Sequence, residues 1–84
     1  MSSPRIDLRA DLNAEDDDGR NWSLLRDARE GVVIVPGVVV VAGVSEFWAV
    51  VRVLAVDDDG MVHFERLNDD HPDARPVLAE ATNG

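Results

Sequence analysis

The chemistry this chain could carry rests on few side chains, and two histidines come first, His63 and His71. His63 and Glu65 are two apart. On a strand that spacing puts both on one face, about 7 Å apart. Such a pair suits acid–base work, half of a metal site, or a solvated outer face. No third ligand or orienting group can be placed beside it from the sequence. His71-Pro72-Asp73, close to Asp69-Asp70, is a second carboxylate-rich spot where a divalent ion could sit. A zinc site needs three or four well-spaced nitrogen or sulfur ligands, and this stretch lacks them. The triplets Asp16-Asp17-Asp18 and Asp57-Asp58-Asp59 invite a calcium reading. A helix–loop–helix calcium loop requires acids at alternate positions, Gly at the sixth and Glu at the twelfth, and neither triplet complies. Both are read as turns. There is no phosphate-cradling glycine loop and no nucleophile elbow, and Ser2, Ser3, Ser23 and Ser45 have no neighbouring histidine. No catalytic residue, metal site or cofactor is assigned, and the balance leans away from an enzyme.

The elements that must position these groups centre on Val32 to Leu67. Val, Ile, Phe and Trp favour a pleated, half-buried surface, so the stretch reads as strands. Pro36-Gly37 suits a type II corner, proline presetting the second residue and glycine accepting positive φ at the third. Val38 to Val41 is a continuous apolar strand closed by Ala42-Gly43, which implies cover on both faces. Phe47 to Val56 follows, with Phe47, Ala49, Val51 and Val53 on one face and Trp48, Val50, Arg52, Leu54 and Val56 on the other. Asp57 to Gly60 is a hairpin turn. Met61 to Leu67 returns with Val62 and Phe64 opposite His63 and Glu65. The expectation is an antiparallel meander.

Before this core, Arg5 to Leu12 alternates strictly, Ile6, Leu8, Ala10 and Leu12 against Arg5, Asp7, Arg9 and Asp11. The acidic loop Asn13 to Gly19 and a return strand Arg20 to Ser23 make an N-terminal hairpin over 5–31. Its Asp-Asp-Asp-Gly turn echoes the later one, either as a faint duplication or because these residues make good turns. Leu24 to Glu30 is read as a short helical turn stopped by Gly31, the alternative being more strand. The core spans 32–79, with Pro76-Val77-Leu78 as a last short strand after the polar loop at 68–74, and 80–84 as a frayed tail.

The Pro36-Gly37 corner, Val40-Val41-Ala42-Gly43, Phe47-x-Ala49-x-Val51, Asp59-Gly60 and Val62-x-Phe64 together resemble an SH3-like or Tudor-like small barrel. The same core is similar to a group of small actinobacterial proteins. The resemblance covers about the central half of the chain. It implies an all-β barrel of five or six antiparallel strands. With no Tyr and only two Trp and two Phe, it does not extend to the aromatic cage of Tudor readers.

Composition sets outer bounds. Eighty-four residues make one domain with a thin core, burying about 60% of the unfolded surface, so self-association would help it. A net charge of −9 argues against a nucleic-acid backbone binder. Cysteine is absent, which fits a reducing cytoplasm. The start, Met1 to Arg5, leads into polar sequence rather than a signal peptide, and Val32 to Val44 is too short and too interrupted for a membrane helix. Lysine is absent and every basic residue is Arg, a usage expected of a GC-rich genome such as an actinobacterium's.

The expected function is a non-catalytic interaction or accessory module that binds a protein partner or a second copy of itself. Its expected surface is Trp48, Val50, Arg52 and Leu54, with Trp22 and the Val44–Glu46 loop, because the Trp48 face must find cover. One alternative is a small ligand-binding or catalytic accessory protein of a specialised pathway, using His63, Glu65 and Arg52 around a cavity. Another is an acidic mimic of nucleic acid.

Overall fold

The computed structural model describes residues 5–13 and 21–83. Its strands are β1 (Leu8–Arg9), β2 (Asn21–Leu24), β3 (Val39–Val44), β4 (Phe47–Val56) and β5 (Met61–Arg66). A 3-10 turn occupies Leu25–Asp27 and a helix, α1, occupies Arg75–Asn83. The fold is mostly β, one sheet in the order β1-β3-β4-β5-β2 curled into a half-barrel.

β3, β4 and β5 form the expected meander. Val41 lies opposite Val50 and Val53 opposite Phe64, so each face keeps its own set of side chains. The register shifts between Val53 and Ala55, leaving Leu54 as a bulge. The Pro36-Gly37 corner closes with Val38 N–H donating to the Val35 carbonyl at 3.2 Å, and Gly37 has φ +94°. These are the marks of a type II turn. Gly60 N–H donates to the Asp57 carbonyl and Gly60 has φ +84°, a three-residue hairpin ending on a left-handed glycine.

The concave face gathers Leu8, Ala10, Leu12, Ile34, Val40, Ala42, Ala49, Val51, Val53, Val62 and Phe64 into the larger core. Val51, Val53, Val62 and Phe64 are essentially sealed from water, each contributing at most about 1.5–3 kcal/mol of transfer energy. A second core lies on the convex face: Val41, Val50, Leu67, Ala74 and Ala81, with Ile6, Val39, Trp48, Val77 and Leu78 packed on it.

The N-terminal segments depart from the expected hairpin. β1 and β2 sit at opposite ends of the sheet, so they are not an extension but its two edges. β1 runs parallel to β3, Leu8 opposite Ala42 and Arg9 opposite Gly43, while β2 runs antiparallel to β5. Curling brings the edges back together, where side chains join them in place of a ladder. Ser23 Oγ donates to the Arg9 carbonyl at 2.6 Å and Asn21 Nδ2 to the Leu12 carbonyl at 2.8 Å. Polar residues on the inner face of β2 explain this: they find acceptors on β1 and on Leu12 just after it, whereas Val62 and Phe64 fill the core. The acidic stretch at 16–19 lies outside the described residues.

The alternation of 5–12 holds for Leu8 to Leu12, but Asp7 breaks it, being buried at 4% exposure. The expected short helical turn is present as the 3-10 turn. The expected strand at Pro76–Leu78 is instead part of α1, which continues through residues 80–83 of the expected tail, while Gly84 lies outside the described residues. Pro76 stands at its second position, where no N–H is needed, and Ala74, Val77, Leu78 and Ala81 form one apolar stripe at helical spacing.

Gly43 is required by contact as well as by angle. It has φ +132°, and a Cβ there lies 2.4 Å from the Phe47 carbonyl oxygen and 2.6 Å from the Trp48 Cα. Gly43→Ala is expected to cost about 2 kcal/mol or more, lowering Tm by roughly 10 °C in thermal unfolding. A Tm within about 2 °C of wild type contradicts the close approach.

Candidate functional site

The convex face bearing Trp48 was the expected meeting place for a partner, and the structure fills it from within. Trp48, Val50 and Arg52 lie along β4 facing outward. α1 and the loop before it lie over them, Ala74, Val77, Leu78 and Ala81 closing on Val41 and Val50. Val50 has no exposure at all and Trp48 is half-buried. Arg52 is tied to the same roof by an ion pair with Asp73. Leu54, on the bulge, is half-buried. The chain's own C-terminal helix therefore supplies cover for Val50 and part of the cover for Trp48.

The polar groups also pair among themselves. His63 Nε2 lies 2.9 Å from Asp57 Oδ2, fastening β5 to the start of its own hairpin turn. Across the sheet His63 sits opposite Trp22, and Glu65 opposite Arg52. Glu65 is exposed. His71 Nδ1 accepts the Asp73 backbone N–H at 3.0 Å, and the His71 carbonyl accepts from Ala74 and Arg75 N–H, so His71 shapes the entry to α1. Among the described residues no group of three or more His, Asp or Glu side chains converges as a metal site requires. His63, Glu65 and Arg52 line none of the grooves described next.

Two grooves flank β1. One, of about 670 Å³, runs between β1 and β2 and is lined by Arg9, Asp11, Leu12, Trp22, Leu24 and Phe47, among others. The other, of about 530 Å³, lies between β1 and the turn after β3, with Ile6, Asp27, Arg29 and Glu46 in its wall. Arg9, Asp27 and Val44 belong to both. The groove exists because the two sheet edges meet through side chains; a ladder would have closed it. Its apolar wall ends at Phe47, which is 40% exposed and carries the Arg66 guanidinium 5.3 Å from its ring centre. Of the expected surface, Trp22 lines the first groove, Val44 both, and Ser45 and Glu46 the second; Trp48 lines a third, of about 660 Å³, with Arg66, Leu67 and Asp69. Arg9 and Leu12 were not singled out from sequence. The outward phase of Arg9 was legible, but the neighbour across the gap depends on topology.

Comparison with family models, curated proteins and solved structures finds no match. No helix among the described residues is long and apolar enough to cross a membrane.

The roof makes a clear prediction. Ala81→Asp places a charge against Val41 and Val50 and is expected to lower unfolding free energy by about 3 kcal/mol in urea titration. Glu80→Ala, on the exposed side of α1, is expected to stay within about 0.5 kcal/mol. Equal effects of the two substitutions contradict docking of the helix.

Proposed function

We propose that the chain is a non-catalytic protein-interaction module whose recognition surface is the groove between β1 and β2. The observation that carries this reading is the pairing of Trp22 and Phe47 in one groove with Leu12 and Leu24, edged by Arg9, Asp11 and Asp27. Aromatic side chains lining a concave site, here the half-buried Trp22 and the exposed Phe47, with a few charged groups at the rim, are the usual anchors of protein recognition. The groove lies between two strand edges, so its length suits an extended segment with one or two apolar side chains. With a net charge of −9, the favoured partner is neutral or basic. The absence of cysteine fits a cytoplasmic setting.

Selection of a random peptide library on the immobilised chain tests the proposal. The expected result is an enriched motif with an apolar residue, its binding reduced at least about tenfold by Phe47→Ala or Trp22→Ala, which corresponds to about 1.4 kcal/mol. Enrichment of no motif, or of one that both substitutions leave untouched, contradicts it.

A further inference from the structure

Val32 to Val35 belongs to no strand, helix or turn, and Pro36 biases Val35 towards an extended backbone. It nevertheless has an edge strand's pattern. Ile34 is buried in the concave core and Val32 packs beside it, while Val33 is 67% and Val35 49% exposed. At its ends the backbone is satisfied: Val32 N–H donates to the Arg29 carbonyl at 3.1 Å, and the Val35 carbonyl accepts from Val38 N–H. Between them, the N–H groups of Val33, Ile34 and Val35 and the carbonyls of Val32, Val33 and Ile34 make no hydrogen bond among the described residues. A β-branched segment that alternates buried and exposed side chains and leaves its backbone groups unbonded is a template for strand addition.

We infer that this edge pairs with the same edge of a second copy, antiparallel about a twofold axis through Ile34. Directly opposed residues of an antiparallel pair share a face. That register sets Val33 against the partner's Val35 and Val35 against the partner's Val33. The two exposed valines of each copy then cover the two of the other, and Ile34 meets its own counterpart. The segment is self-complementary, which makes a second copy its natural occupant. Charge points the same way. The chain carries −9, so two copies repel over most approaches, yet residues 31–45 contain no charged side chain. This is where two acidic molecules can touch without opposing like charges. A four-residue seam falls short of the roughly 1,200 Å² of a standard interface, so the dimer is weak, with Kd in the micromolar range or above. The inference does not depend on the groove between β1 and β2, which lies elsewhere on the molecule.

Sedimentation velocity from about 10 µM to about 1 mM, at moderate salt, tests it. Wild type is expected to rise towards twice the mass of one chain. Val33→Lys with Val35→Lys, and separately Val33→Glu with Val35→Glu, are each expected to remain monomeric with unchanged circular dichroism, since both side chains are exposed. Mixing the lysine and glutamate forms is expected to restore association. Phe47→Ala is expected to dimerise like wild type, which keeps a failure of the groove reading separate from a failure here. A wild type that stays monomeric at every concentration overturns the inference. So does a dimer that the lysine pair leaves intact, or a mixture that fails to associate.

Discussion

Asp7 uses every polar group it has to join three segments that are distant in sequence. Its N–H donates to the Val41 carbonyl at 2.9 Å, and its Oδ2 accepts the Val41 N–H at 3.1 Å, so backbone and side chain together extend the edge of β3. Its own carbonyl accepts the Arg29 N–H at 2.7 Å. Its Oδ1 receives the Arg29 guanidinium at 3.1 Å and faces Arg5 Nε at 3.5 Å. A carboxylate this deeply buried is tolerated because it is both hydrogen-bonded and charge-compensated. β1 contributes only two residues to the sheet, too few to hold the edge by a ladder alone. The Asp7 clamp, with the Leu8–Ala28 bridge, is what returns the N-terminal segment to the sheet.

From that clamp the rest of the architecture follows. With β1 held beside β3, the curled sheet brings β2 near it without matching backbones, and the grooves on either side of β1 result. The convex face is settled separately, by α1. Arg52 and Asp73 help hold the loop that leads into the helix, though an ion pair this exposed contributes little beyond orientation. Among the described residues, the pairs Asp57–His63, Arg52–Asp73 and Asp7–Arg29 tie titratable side chains to structure. The exposed large apolar side chains among the described residues are Leu25, Val33, Val35 and Phe47. That division of labour supports recognition rather than chemistry as the proposed role.

Much of this was written plainly in the residues. The meander, the Pro36-Gly37 corner and the Asp57–Gly60 turn are local, each set by neighbours in sequence. The alternation of β4 correctly separated Val51 and Val53 from Trp48 and Val50. What covers the second set is a question of long-range packing that strand periodicity cannot answer. The helical stripe Ala74, Val77, Leu78 and Ala81 was present, but Pro76 read as an edge-strand residue concealed it. Asp7 was assigned outward because its neighbours alternate, and only its tertiary partners reverse that. The groove was illegible for the same reason. Trp22, Phe47 and Arg9 meet because β1 pairs with β3, which no local pattern announces.

Backbone amide exchange in Asp7→Ala tests the clamp most directly. The account predicts that Ala10, Arg29 and Val41 lose at least about tenfold in protection, as local opening of one region allows. Val53 and Leu67, whose N–H groups bond within the meander to Val38 and Val50, are predicted to keep theirs. Protection unchanged at Ala10, Arg29 and Val41, or lost equally at Val53 and Leu67, contradicts the claim that this one carboxylate fastens the sheet's open edge.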